Sequence, residues 1–72
     1  MAKDIKRALG KRVRELRDAR DWSQEQMGEA SGMHWTYIGQ VERGERNLTL
    51  ESIQKIAKAF RLKISELFQG LD

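Results

Sequence analysis

Thr36, Gln40 and Arg43 stand four and three residues apart, the repeat that lines side chains up on one helical face. A hydroxyl, a carboxamide and a guanidinium so placed can hydrogen-bond to the donor and acceptor edges of base pairs, and a major groove about 12 Å wide admits one helix. At about 100° per residue from Ile38, Gly39 joins this face and Trp35 and Tyr37 flank it, while Val41 and His34 turn towards the core. An ordinary solvated face is the alternative. Such faces usually carry Glu and Lys, however, and neither occurs between Met33 and Val41. The two rings and the histidine crowd into one short stretch of a chain with only five Trp, Tyr and Phe residues in total.

The elements that must hold this face can be read on either side of it. Ile5, Leu9, Val13 and Leu16 recur at helical spacing among Lys and Arg, which predicts a surface helix over residues 4–20. Gly10 inside it costs about 1 kcal/mol relative to alanine, and either permits a close backbone approach or has no role. Ser23 and Gln26 form a capping box, with Trp22 and Met27 placed to staple across it, so a second helix begins there and breaks at Ser31-Gly32. A third helix spans residues 35–43 and ends at Gly44. Thr49 caps a fourth, with Glu51 in its first turn, Leu48 stapling to Ile53, and a stripe of Ile53, Ile56, Ala57 and Phe60. Leu62, Ile64, Leu67 and Phe68 imply a short fifth helix. The fold class is all-α, with no strand.

Composition narrows the function classes. At 72 residues the chain suits one domain, and without cysteine or a metal-ligand cluster its core must come from helix packing. No apolar run reaches the roughly 20 residues of a membrane span, so we expect a cytoplasmic protein with no membrane partner. The net charge of +3 is unevenly distributed. Residues 1–21 carry eight Lys or Arg against four acids, residues 43–63 six against two, and the stretch between has three Glu and no Lys or Arg. Two solvated helix faces or a nucleic-acid surface would each account for that pattern. One histidine and no cysteine, with no paired carboxylates or nucleophile set, argue against an enzyme and against a metal, a cofactor or a small-molecule ligand.

The stretch from Gln24 to Arg43, with Met27, Gly28, Gly32, Ile38 and Val41 at the fourth, fifth, ninth, fifteenth and eighteenth positions, resembles the twenty-residue motif of the phage-repressor-like (Cro/XRE-type) helix-turn-helix family. "VRELRDARDWSQEQM" before it and "YIGQVERGERNLTLESIQKIAKAF" after extend the likeness over residues 11–68. The resemblance implies a compact five-helix bundle in one DNA-binding domain, with residues 24–43 as its motif and residues 35–43 as the recognition helix. It implies Trp35, Thr36, Gly39 and Gln40 as base-facing residues. Gln24, His34, Tyr37, Arg43, Arg46 and Asn47 would contact the DNA backbone, and Arg17 and Glu42 would form a structural ion pair.

Departures from the family pattern bear on those roles. His34 and Lys63 stand where small polar caps are usual, Leu48 replaces a common proline, and Trp35 cannot make a bidentate bond to guanine. Its ring either meets bases or shields Met33. The expected function is a sequence-specific double-stranded DNA-binding transcription regulator, dimeric on a palindromic operator, similar to restriction-modification controller proteins or small phage-type repressors. Phe68, Leu71 and Leu67 are the expected homodimer interface. An antitoxin that binds a toxin protein is the competing expectation; the short tail after the fifth helix argues against it.

Overall fold

The structure, a computed structural model, describes residues 4–71. Five helices follow one another, and no strand occurs among the described residues. Asp4 adopts an extended backbone and its carboxylate accepts from the N–H groups of Lys6 and Arg7 at 3.1 and 3.3 Å, starting α1 at Ile5–Ala19. At Ser23 both halves of the capping box form, with 3.0 Å to the Gln26 N–H and 2.8 Å back from the Ser23 N–H to Gln26, and α2 runs Gln24–Ser31. Ser31 belongs to the helix and is not part of its break. Its buried hydroxyl donates to the Met27 carbonyl at 2.8 Å, and the turn falls on Gly32 alone, whose φ of 72° suits a residue without Cβ.

The next helix, α3, spans Trp35–Glu42, with Arg43 as its C-cap and Gly44 beyond in the left-handed region. Thr49 caps α4, Leu50–Ala59, through the Ser52 N–H at 3.0 Å. The last helix, α5, is a single turn, Ile64–Leu67. Lys63 supplies no small polar side chain there. Glu66 compensates by accepting from the Lys63 N–H at 2.8 Å.

Each helix contributes to one core, in which Val13, Met27, Ile38, Ile56, Phe60 and Leu67 are fully buried. Trp22 lies over this core and stacks on the Phe60 ring, with centroids 5.8 Å apart. Arg20 packs against the same two rings, its guanidinium 4.8 Å from the Phe60 centroid and 5.8 Å from that of Trp22, and donates to the Phe60 carbonyl at 2.9 Å. Gly10 is where α1 meets α3. A Cβ at that position would overlap the Val41 carbonyl oxygen and lie 2.6 Å from that of Glu42, so the glycine permits the close approach that fixes the angle of α3.

Two expectations are corrected by this packing. Leu67 has no exposed surface, because the single turn of α5 folds it into the core, and it is therefore unavailable to a dimer interface. His34 is exposed and does not face the core. It precedes the first helical residue, and its extended backbone (φ −66°, ψ 141°) takes it off the helical periodicity that had placed it inside.

Candidate nucleic-acid interface

Ile38 and Val41 anchor α3 in the core, and this fixes which side of the helix faces out. Thr36 and Arg43 are exposed, and Gln40 and Tyr37 are half-buried at the margins of the same face. Trp35 is 47% exposed and lies beside the His34 ring, centroids 5.9 Å apart, so it remains part of the outer surface. Gly39 faces the same way but is buried beneath flexible side-chain ends: its missing Cβ would sit 3.2 Å from Arg43 and 3.4 Å from Gln24. The helix backbone at Gly39 is thus reached only when those two side chains move.

His34 is an effective cap despite its poor propensity for the position. Its Nδ1 accepts from the Thr36 N–H at 3.2 Å and lies 2.7 Å from the Thr36 hydroxyl. In the neutral ring that arrangement puts the hydrogen on Nε2. The same cap orients the Thr36 hydroxyl at the N-terminal end of the face.

Beneath the face, Arg17 and Glu42 form the ion pair that ties α1 to the end of α3. The guanidinium engages both carboxylate oxygens at 2.6 and 3.1 Å, and the two side chains are 11% and 5% exposed. A third Arg17 bond, 2.6 Å to the Trp22 carbonyl, extends the tie to the loop before α2. The bond to Glu42 raises the Arg17 pKa above its ordinary value, against the opposing effect of desolvation, so the charge is retained inside the fold. Gln24 joins this network by donating to Glu42 at 3.2 Å, so its amide reaches from the start of α2 across to α3, beside Gly39.

The loop after α3 closes the site. Gly44 turns the chain at φ 74°, and Arg46 folds back so that its Nε donates to the Gln40 side-chain amide oxygen, Oε1, at 2.8 Å while its guanidinium covers the Tyr37 ring at 5.2 Å. Arg43 forks onto Glu45 at 3.0 and 3.3 Å, and that bond raises its pKa. Asn47 is exposed beyond them. Sequence periodicity put Gln40 and Arg43 on the outer side of the third helix, where the structure has them half-buried and exposed. It missed Glu45 as the partner of Arg43 and the coupling of Gln40 to Arg46, because both contacts cross from helix to loop, where helical spacing no longer applies. A glycine followed by an acid and a base just after a polar helix end was the available signal.

Among the described residues no group of three or more His, Cys, Asp or Glu side chains is placed to hold a metal ion, and no helix is long and apolar enough to cross a membrane. The arrangement is a polar helix edge held on the core, with arginines at one end.

Comparison with known proteins agrees with this geometry. The family model described as "Helix-turn-helix" matches residues 13–67. Control protein C.SmaI of Serratia marcescens is 49% identical over 70 residues, covering 94% of this chain and 83% of the relative. Control protein C.BamHI of Bacillus amyloliquefaciens is 37% identical over 68 residues, covering 93% and 84%. Among solved structures, the restriction-modification controller protein C.AhdI from Aeromonas hydrophila superposes with a TM-score of 0.82 at 45% identity, covering 86% of this chain and 94% of that one. With the outward edge of α3 and these relatives together, the chain belongs to the helix-turn-helix family of Cro/XRE-type DNA-binding transcription regulators, which are not enzymes.

Proposed function

We propose that the chain regulates transcription as a homodimer bound to a palindromic operator, as a controller of a restriction-modification system. The observation that carries this reading is the outward edge of α3: Thr36 is exposed and Gln40 half-buried on the outer side of a helix clamped by Ile38, Val41 and the Arg17–Glu42 pair. A reading edge must hold its register, and that clamp supplies the rigidity. Names of the similar proteins, control protein C.SmaI and restriction-modification controller protein C.AhdI, support the regulatory setting.

In this reading Trp35, Thr36 and Gln40 contact bases, and the helix seats closely at Gly39 once Gln24 and Arg43 swing aside. Gln24, Tyr37, Arg43, Arg46 and Asn47 hold phosphates on either side, and His34 adds a phosphate bond through Nε2–H. One such helix reads only a few base pairs. Two-fold pairing places two of them about 34 Å apart on successive turns of the groove. With Leu67 in the core, the pairing surface is drawn from half-buried Phe68 and Leu71 and from Ile64, which is 44% exposed.

Selection of bound duplexes from a random DNA pool tests the whole reading, and a palindrome is the expected result. Gln40→Ala is expected to cost about 1–3 kcal/mol on the selected site and far less on random duplex. Affinity should also fall with salt by about 0.9 log unit per phosphate contact for each tenfold increase. Equal binding to heparin and to every duplex overturns sequence-specific regulation.

A further inference from the structure

We propose that Arg46 is a positioning residue for Gln40, converting its carboxamide into a donor-only reader that selects guanine over adenine. The inference rests on α3 being the helix that reads the major groove, and it goes further by assigning the base.

The chemistry follows from one contact. An arginine Nε–H can only donate, so the Gln40 atom 2.8 Å from it must be the side-chain carbonyl oxygen, and the NH2 occupies the other arm of the planar amide. A free glutamine pairs with adenine by offering an acceptor to N6 and a donor to N7 together. When its oxygen is held by a cationic donor, the side chain presents its N–H groups to the groove. The guanidinium beside that oxygen is also a poor neighbour for another donor such as adenine N6. Guanine offers acceptors at both N7 and O6 and no donor at that edge of the groove, so it matches the constrained amide.

Arg46 is held in this role by a second, independent contact. Its guanidinium lies over the Tyr37 ring at 5.2 Å, and Tyr37 and Gln40 are three residues apart on α3. The arginine is thus clamped between one ring and one amide of the recognition helix, although it belongs to the following loop. Among the described residues its terminal nitrogens make no hydrogen bond, so positioning and a phosphate contact can coexist.

The test compares selection from a random duplex pool by the wild-type protein, Gln40→Ala and Arg46→Met, with binding to single-base variants of the selected site. Arg46→Met keeps the apolar stem at an exposed position and removes the Nε–H. Gln40→Ala first locates the base position that Gln40 reads. At that position the wild type is expected to favour guanine over adenine by about five-fold or more, the lower end of what a bidentate contact provides. In Arg46→Met the ratio is expected to fall to about one or to reverse, beyond any uniform weakening. Adenine at that position for the wild type overturns the inference. So does an Arg46→Met protein that weakens on all duplexes equally with its guanine preference intact. If Gln40→Ala alters preference at no position, the reading of α3 fails and the inference falls with it, a result distinct from the other two.

Discussion

Gly10→Ala sets two opposing effects against each other, and the structure decides between them. Helix propensity alone favours the substitution by about 1 kcal/mol, since alanine replaces glycine in the interior of α1. Against it, the new methyl would lie 2.6 Å from the Glu42 carbonyl oxygen, 2.9 Å from the Glu42 carbonyl carbon, and closer still to the Val41 oxygen. Ordinary contact begins at 3.4 Å, so the helices must separate by about an ångström, and the obstacle is backbone that cannot rotate away. Overpacking of this kind costs about 1–3 kcal/mol, occasionally more, and moving α3 also stretches the 2.6 Å bond between Arg17 and Glu42. The net expectation is destabilisation by about 1–3 kcal/mol, which for a domain this small is a fall in melting temperature of about 4–8 °C per kcal/mol. Thermal unfolding followed by circular dichroism measures it, with Lys11→Ala on the exposed side of the same helix as a near-neutral control. Operator affinity should fall too, because the angle of α3 is set at this crossing. A melting temperature for Gly10→Ala at or above the wild type refutes the reasoning and leaves propensity as the dominant effect.

Glu42→Ala leaves the largely buried Arg17 guanidinium with only the Trp22 carbonyl and the more exposed Asp18, and should cost about 3–5 kcal/mol in urea denaturation; a loss below about 1 kcal/mol contradicts the structural weight given to the pair. Arg61 sits at φ 58° just after α4, a conformation that costs a residue with Cβ about 1–2 kcal/mol, so Arg61→Gly should raise the melting temperature; a decrease shows that Arg61 makes a compensating interaction. Leu67→Ala should destabilise the monomer by about 2–5 kcal/mol, whereas Phe68→Ala should act mainly on self-association, as read by sedimentation at several concentrations. Equal effects of the two on folding and none on association would remove Phe68 from the pairing surface.

The sequence alone determined the five helices, because their apolar repeats and their caps at Ser23 and Thr49 are local signals that the backbone obeys before any packing occurs. It also determined which edge of α3 is polar, since Ile38 and Val41 can satisfy the core from only one side. Tertiary structure decided what local signals cannot carry. Gly10 acquires its role only from the Val41 and Glu42 carbonyls opposite it. Leu67 and Phe68 are adjacent apolar residues, and only the direction in which a single helical turn folds back separates core from rim. His34 moved from core to surface because periodicity ends where the helix does, and Gln40 met Arg46 because Gly44 reverses the chain. Helix pattern propagates along the chain over a few residues; contacts between a helix and a loop depend on the path of the backbone through space, which packing of the whole domain fixes.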